Sequence, residues 1–311
     1  MDDTVFHPGE RMVQERTGER AIALLNARNI SAHIPAAARN FVAQQRWCVV
    51  GAADAEGGVS ASLLIGEPGF LQAAEDLASL RMALVDPHDR LRTIAPIGAL
   101  EAGQSVAVLL IELQTRRRLR VNGHVASASG GLLDVTVGQA FPVCPRYIQK
   151  REPEIAEPAT EPGTDTSPAL LAGGSAFDDT VAQWVTTADT LFIASLGPGG
   201  AADVSHRGGR PGFVQVVGNV LRIPDYNGNS MFNTLGNLAM DARCGLVLPG
   251  GDGVRQLQLN GRAKACFDVL DGAESTGGTG RWIEFTVESW RVSPLNLPLR
   301  WRFIEASPFN P

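Results

Sequence analysis

One short pattern occurs twice in this chain, and it constrains the fold more than any other feature of the sequence. Gly66-Glu67-Pro68-Gly69-Phe70 returns 143 residues later as Gly209-Arg210-Pro211-Gly212-Phe213. A second pair, Val121-Asn122-Gly123-His124 and Leu259-Asn260-Gly261-Arg262, is spaced by 138 residues. The near-constant spacing predicts one structural unit used twice, with a few residues of loop length differing between the copies. Pro-Gly at the centre of the first pattern is typical of a type II turn, with the glycine at positive φ.

Length and composition suit two globular units. The chain has 311 residues and a net charge of −6, and no apolar run is long enough to span a membrane. Residues 151–170 hold one basic and five acidic residues and so carry most of the net negative charge. Neither unit on its own has the excess of basic residues that is typical of a nucleic-acid binder. The start of the chain lacks a basic-then-apolar signal pattern, and we expect a cytoplasmic protein. The four cysteines have no zinc-type spacing, which indicates reduced, mostly buried thiols and no metal site.

Runs of apolar residues with period two predict seven short strands in each unit. A helix precedes each set, with Ser175 as a candidate N-cap of the second, and another helix follows the fourth strand of the second unit. This pattern favours a closed or split barrel over a doubly wound sheet, which would need a helix between successive strands. We predict a mainly β fold with short helices (α+β): residues 1–150 form a helical extension and a first barrel, 151–175 a Pro/Glu-rich linker, and 176–311 a second barrel. The predicted strands are Trp47–Ala52, Val59–Ile65, Phe70–Ala74, Leu80–Val85, Ser105–Leu113, Arg118–Ser127, Leu132–Phe141, Thr190–Ser195, Ala202–Arg207, Phe213–Val217, Val220–Pro224, Cys244–Leu248, Gln256–Phe267 and Arg281–Arg291.

The strand before the second Pro-Gly turn carries an unusual set of polar residues. Alternation places Asp203, Ser205 and Arg207 on one face and His206 on the other. The polar face could bind a phosphate or a sugar hydroxyl, or it could simply face solvent. His206 could equally be a hydrogen-bonded structural histidine.

A polar loop, residues 225–233, immediately precedes the predicted helix of the second unit. Asn229 or Ser230 is a candidate N-cap, and free N–H groups at a helix start favour an anion. A plain cap on a solvated loop remains the alternative. Asn233 and Asn237 lie one helical turn apart and should face the same way.

Two further sets of polar residues are less distinctive. The basic cluster at residues 116–120 is interpreted as a solvated strand face, and Arg262, with its counterpart His124, as either a site residue or a solvent-facing barrel residue. No nucleophile, base and orienting group share a recognisable pattern, which favours chemistry carried by a cofactor. With only two lysines in the chain, a bound phosphate would depend on arginines, hydroxyls and backbone N–H groups.

Three segments together resemble the pyridoxamine 5′-phosphate oxidase-like family of FMN-binding split barrels. They are residues 203–213, residues 224–237 and Leu259-Asn260-Gly261-Arg262. In the first unit, residues 61–64 and 66–70, Asn122-Gly123-His124 and residues 144–149 are similar to family segments. There Leu63 stands in place of His206 and the polar loop is missing, so the resemblance implies a degenerate first site.

The resemblance implies two tandem FMN-binding split barrels that form a pseudo-dimer within one chain, with FMN between them. A homodimer of the whole chain is also compatible with it. The lysine that helps to hold the phosphate in pyridoxamine phosphate oxidase has no match here, and the substrate-binding tail is not recognisable. Carried over by position, the cofactor-binding residues are Ser205, His206, Arg207, Asp225, Tyr226, Asn229, Ser230, Asn233 and Arg262.

We therefore expect an FMN-binding flavoprotein, an oxidoreductase of this superfamily that acts on a small-molecule substrate or electron donor. The sequence leaves the catalytic residues and the substrate open. It also leaves open a deazaflavin or haem in place of FMN, a non-catalytic flavin- or haem-binding module, and a structural pseudo-dimer without a ligand.

Overall fold

The computed structural model describes residues 5–53, 57–86, 91, 94–154, 172–269 and 274–311. Two antiparallel sheets dominate the described chain, and each curls around its own apolar core. The first sheet contains seven strands: β1 (Trp47–Ala53), β2 (Val59–Ile65), β3 (Leu71–Ala73), β4 (Ser79–Ala83), β5 (Ser105–Glu112), β6 (Arg117–Ser129) and β7 (Leu132–Pro142). Then follow β8 (Lys150–Glu154), β9 (Ala172–Gly174), β10 (Thr190–Leu196), β11 (Ala202–Gly208), β12 (Gln215–Val217), β13 (Val220–Pro224), β14 (Arg243–Pro249), β15 (Arg255–Cys266), β16 (Trp282–Pro294) and β17 (Arg300–Glu305).

The two sheets share one topology. The first has the strand order β2-β1-β5-β6-β7-β4-β3, and the second has the order β11-β10-β14-β15-β16-β13-β12 with β9 added beside β16. Each strand of the first sheet therefore has a counterpart nine strands later. The fold predicted from the repeat, mainly β with two split barrels in tandem, is confirmed.

The ends of the predicted linker are paired as strands, because β8 pairs with β17 and β9 with β16. Residues 155–171 lie outside the described residues, as do 54–56, which belong to the segment 54–58 whose composition predicts a turn. So do 87–90 and 92–93, in the long connection that the sequence predicts between the fourth and fifth strands. In the part of the chain that the structure describes, no helix has the length and apolarity to cross a membrane.

Five α-helices accompany the described strands: α1 (Pro8–Arg16), α2 (Arg20–Ala27), α3 (Arg39–Ala43), α4 (Asp179–Thr187) and α5 (Asn233–Met240). The predicted caps are wrong for both helices of the second unit. Helix α4 is capped by Asp178, whose side chain accepts the Val181 N–H, and not by Ser175. Helix α5 follows Phe232, which has a left-handed backbone and no capping side chain, because Ser230 instead donates its hydroxyl to Glu19.

The three largest apolar cores of the described residues lie inside each barrel and between the barrels. Alternate residues of the central strands serve different cores. On β5, Val108 packs inside the first barrel and Leu109 packs against the second, and on β10, Ile193 and Phe192 divide in the same way. Burial on both faces explains why these strands read as continuous apolar runs in the sequence. Each large apolar side chain removed from water contributes about 1.5–3 kcal/mol.

The repeated Pro-Gly pattern forms the same turn in both barrels, as predicted. Gly69 and Gly212 have φ of +95° and +89°, and the N–H of the following phenylalanine donates to the residue three before it. A Cβ on the first glycine of the second pattern, Gly209, would lie 2.6 Å from Cβ of Phe213. The pattern is therefore a turn requirement that both barrels share.

Helix α1, at the start of the chain, docks on helix α5 of the second barrel through two glycines. A Cβ on Gly9 would lie 2.2 Å from the carbonyl oxygen of Gly236, and a Cβ on Gly236 would lie 2.6 Å from Cα of Glu10. Phe6 packs nearby against Met231, in a small core that also contains Phe141 of the first barrel. The N-terminal extension thus belongs structurally to both barrels.

Replacing Gly9 with alanine should separate α1 from α5. The new methyl group would overlap the Gly236 carbonyl and lie 2.8 Å from Cγ of Met240, so we expect the free energy of unfolding to fall by about 1–3 kcal/mol. Urea denaturation measures this, with Gly251→Ala as the control because a Cβ there meets no atom within 4 Å. Equal stabilities of the two variants would show that the close approach of the helices is unimportant.

Candidate functional site

A polar cleft opens between the two barrels where strand β11, the loop before α5 and strand β6 approach one another. It contains about 760 Å³ of space outside protein atoms, including its open mouth. The first barrel contributes Arg118, Arg120, Val143, Cys144, Arg146 and Tyr147. The second contributes Ser205, His206, Arg207, Gly208, Pro224, Asp225, Tyr226, Gly228, Asn229, Ser230, Phe232, Asn233, Thr234 and Leu235.

Eight of the nine residues predicted to bind a cofactor line this cleft together. They are Ser205, His206, Arg207, Asp225, Tyr226, Asn229, Ser230 and Asn233. The placement follows from local structure, since β11 ends at the cleft and the loop after β13 turns back across it.

Arg262 is the predicted site residue that the structure places elsewhere. It follows a β-bulge at Asn260–Gly261 of β15. Its side chain is exposed in a separate surface hollow that also contains Arg243 and Glu288. The alternative interpretation of Arg262, as a solvent-facing barrel residue, is the one that agrees with the structure.

The sequence interpretation of the basic cluster at residues 116–120 is wrong for two of its members. Arg118 and Arg120 are 8% and 4% exposed and line the cleft, whereas Arg117, the first residue of β6, faces solvent. Alternation along β6 was visible in the sequence, with Leu119 and Val121 directed into the first barrel. The opposite face of the strand meets the second barrel instead of water.

Arg120 joins the two barrels by a set of short polar contacts. Its guanidinium lies 2.8 Å from a carboxylate oxygen of Asp203, and it donates to Ser205 Oγ at 2.6 Å and to Asn233 Oδ1 at 2.8 Å. Thr234 donates its hydroxyl to Ser205 at 3.0 Å. Ser205 is therefore held in place by both units, as is Asn233.

The remaining charges of the cleft are unevenly paired. Asp225, which is 4% exposed, lies 2.5 Å from Arg207 and 2.9 Å from Arg281. Arg118 has no carboxylate partner among the described residues and donates to the carbonyl oxygen of Cys144 at 2.7 Å. Burial lowers the pKa of Arg118 to about 10, so it stays cationic at neutral pH. A buried guanidinium without a counter-ion is costly, which makes the cleft receptive to an anion.

His206 is 7% exposed, and neither ring nitrogen has a hydrogen-bond partner in the described structure. Its ring packs edge-on against Phe192 at 5.5 Å. Burial, followed by the charges of Arg118 and Arg207, lowers its pKa well below the ordinary value, so the ring is neutral and offers one donor and one acceptor. Nε of Arg120 and Nε of Arg207 are also buried without partners. Unsatisfied donors thus concentrate on the walls of this cleft, although such groups are rare in native structures.

The loop between β13 and α5 is held by the N-terminal helices. The side chains of Gln14 and Asn26 donate to the carbonyl oxygens of Met231 and Asn229 at 3.1 and 2.8 Å. Ser230 has φ of +60° and donates its hydroxyl to Glu19 at 2.5 Å. A left-handed serine persists only where its surroundings over-determine it, and here the surroundings are α1 and α2. The sequence alone offered no signal for this, because the contacts join residues more than 200 positions apart.

Glu10 on α1 is the most perturbed carboxyl beside the cleft. Burial raises its pKa to about 7, and hydrogen bonds from Asn233 and from the His7 N–H oppose that shift. Asn237, one turn beyond Asn233, meets α1 as well, through His7 Nε2 at 2.9 Å. The prediction that the two asparagines face the same way is confirmed.

The pseudo-symmetric counterpart of the cleft, elsewhere on the interface between the barrels, contains neutral groups. The 138-residue spacing pairs Arg118, Arg120 and Asn122 with Gln256, Gln258 and Asn260. Gln258 donates to the carbonyl oxygens of Ala61 and Ala95, each at 2.7 Å. Leu63, at the position of His206, is 0% exposed within the core between the barrels. Amide and apolar side chains thus stand at the positions that correspond to the arginines and the histidine of the cleft.

Comparison with known proteins gives structural likeness only. No protein-family model matches the chain, and no curated protein matches it. Solved structures that align include a pyridoxine phosphate oxidase family protein from Clostridium acetobutylicum (13% identity, 40% of this chain and 92% of that chain, TM-score 0.29). Others are an F420 reductase (14%, 34% and 92%, 0.27) and an FAD-binding protein from Mycobacterium smegmatis (11%, 39% and 100%, 0.27). Each alignment pairs nearly all of a shorter chain with two fifths of this one or less.

Replacing Glu10 with glutamine should flatten the dependence of stability on pH. The folded-state pKa of about 7 exceeds the ordinary value of 4.5, so folding retains a proton over this range. The corresponding stability is fully present below the lower value and is lost as pH rises through the higher one. We expect the wild-type free energy of unfolding to fall by up to about 3 kcal/mol from this group.

Urea denaturation between pH 4.5 and pH 8, a range set by those two values, measures the slope in each protein. Glu15→Gln is the control, because Glu15 lies exposed on the same helix. If Glu10→Gln and the wild type keep the same slope, burial of Glu10 does not govern the pH dependence.

Proposed function

We propose that the protein is an FMN-binding flavoprotein of the pyridoxamine 5′-phosphate oxidase-like kind, and that FMN lies in the cleft between the barrels. The observation that carries the proposal is the convergence of two buried arginines, the half-buried Arg207 and an unpartnered imidazole on one cleft. A phosphate monoester is dianionic near neutral pH and has three acceptor oxygens, which matches such a donor set.

The residues present fit a phosphate. Arg118 supplies a cation without a competing carboxylate, and the unpartnered Nε groups of Arg120 and Arg207 supply further N–H donors. The His206 ring adds one donor in its neutral form. In this arrangement guanidinium groups replace the lysine that is missing from the sequence.

Aromatic and apolar side chains line the rest of the cleft and suit a planar ring system. Tyr147 and Tyr226 lie with ring centroids 4.8 Å apart, and Phe232 and Val143 are close by on the lining. Burial raises the pKa of Tyr226 to about 12, so its phenol remains a neutral hydrogen-bond donor. Bound FMN would supply the redox chemistry, while these residues orient the cofactor and exclude water.

The division of the chain at residues 150 and 176 is part of the same proposal, with the first barrel acting chiefly as the opposite wall. A non-catalytic flavin carrier is the alternative. Anaerobic addition of NADH or NADPH distinguishes the two: a bound flavin that is reduced on the turnover timescale supports the oxidoreductase, and one that stays oxidised supports the carrier.

Replacing Arg118 with methionine should weaken FMN binding by about tenfold to a hundredfold, the usual value of one hydrogen bond to a charged group. Methionine leaves no orphaned carboxylate, because Arg118 has no carboxylate partner among the described residues. Fluorescence titration with FMN measures the affinity. FAD and F420 are titrated in parallel, because they are the ligands in the names of two matched structures.

Arg117→Met is the matched control, since Arg117 lies on the same strand but pairs with Glu112 on the outside. Equal losses in both variants would point to a general loss of positive charge. Absence of FMN binding by the wild type, after titration and reconstitution, would overturn the proposal itself.

The chain should bind one FMN and not two. The pseudo-symmetric counterpart of the cleft is closed by Gln256 and Gln258, whose side-chain groups are hydrogen-bonded to the first barrel. The molar ratio of released FMN to protein, measured by absorbance after gel filtration and denaturation, should therefore approach one. A ratio near two would mean that the amide-lined counterpart opens.

A further inference from the structure

Cys144 lies two residues after the end of β7 and lines the cleft between the barrels. Its thiol is partly exposed, and Sγ lies 3.6 Å from a terminal nitrogen of Arg118. The same guanidinium donates to the Cys144 carbonyl at 2.7 Å, so residue 144 is fixed against it at two points. The thiol therefore sits on the wall of an electropositive cleft that opens to solvent.

A second observation shows that this cleft is built for a ligand. His206 is 7% exposed and lines the same cleft, and both its ring nitrogens lack a partner. Nε of Arg120 is likewise buried and unpartnered. The groups around the sulfur thus favour a molecule that carries negative charge, independently of whether that molecule is a flavin.

The other three thiols provide a comparison within the same chain. Cys48 and Cys244 are both 0% exposed, and burial raises the pKa of each thiol. Cys266 is partly exposed like Cys144, but burial and the neighbouring carboxylate of Glu284 raise its pKa. Cys144 thus contacts a guanidinium that has no carboxylate partner among the described residues, whereas Cys266 lies beside Glu284, which pairs with Lys264.

We propose that Cys144 is a modification site that forms a mixed disulfide with anionic low-molecular-weight disulfides, and that this modification and the binding of a phosphate group exclude one another. The thiol releases its proton to solvent, and the thiolate attacks one sulfur of the incoming disulfide R–S–S–R. A new bond joins Cys144 Sγ to that sulfur as the old S–S bond breaks. The second half leaves as RS⁻, so the external disulfide is the oxidant and the reaction is balanced.

The charge of the cleft determines which disulfides react. The cationic walls attract an anionic reagent and can raise its association rate about tenfold or more at low salt. A bound phosphate would neutralise those walls and occupy the approach to the sulfur. A group attached at Cys144 would in turn fill part of the space that a phosphate ester needs.

The test uses the full chain without flavin and two reagents of opposite character. The anionic disulfide is 5,5′-dithiobis(2-nitrobenzoate), and the neutral one is bis(2-hydroxyethyl) disulfide. Peptide mass spectrometry at successive times gives a separate rate for each cysteine, with Cys266 as the internal reference. The reactions are repeated with inorganic phosphate and with sodium chloride at equal ionic strength, and with Arg118→Met beside the control Arg117→Met.

We expect Cys144 to react with the anionic disulfide at least about tenfold faster than Cys266 at low salt, and to lose most of that advantage with the neutral reagent. Phosphate should slow the reaction of Cys144 more than chloride does at equal ionic strength. The two salts should have equal effects on the rate at Cys266. Arg118→Met should slow Cys144, and Arg117→Met should not. If Arg118→Met does not fold, the phosphate and chloride comparison on the wild type decides.

Equal rates at the two cysteines, or equal effects of phosphate and chloride on Cys144, would overturn the proposal. Because no flavin is present, these outcomes are independent of FMN titration. If phosphate protects Cys144 but the chain never takes up FMN, the modification site is supported and the proposed flavoprotein function is overturned.

Discussion

The whole molecule depends on strands that are buried on both faces. In an isolated barrel, one face of β1, β5, β10 or β14 would be exposed, and such an apolar surface would not persist in water. Here the second face of each strand packs against the other barrel in the core that contains Phe192 and Leu109. Packing of this kind determines the distance and orientation of the two units. The cleft inherits its geometry from that contact, because each barrel supplies one wall.

The pseudo-symmetry of the barrels makes the cleft informative. The pseudo-twofold arrangement generates two equivalent positions at the interface between the barrels, and different kinds of side chain line them. One position has closed around glutamine side chains that satisfy the backbone of the first barrel, and this contributes to docking. The other has kept charged and unsatisfied groups, which oppose stability unless something binds there. Costly groups confined to one of two equivalent places indicate function more directly than either place would alone.

Much of this architecture could be predicted from the sequence, and the remainder has a physical explanation. The repeat and the period-two runs predicted all fourteen barrel strands to within a few residues, because side-chain alternation is local information. The polar residues of β11 and of the loop at residues 225–233 predicted one wall of the cleft for the same reason. Arg118 and Arg120 were assigned to solvent, since alternation shows that two faces of a strand differ but does not show what covers the outer one. Ser230 was predicted as a helix cap, and the competing acceptor Glu19 lies 211 residues away.

The docking of α1 on α5 has a consequence for how the protein is made. The partner of Gly9 is Gly236, so α1 is synthesised well before α5, the helix against which it packs. The first barrel meanwhile exposes the face that bears Leu109, and it needs protection from aggregation until the second barrel has formed. The loop that lines the cleft reaches its final shape only when α1 and α2 have docked on the second barrel. Ligand binding at the cleft would then report that these helices and both barrels have assembled.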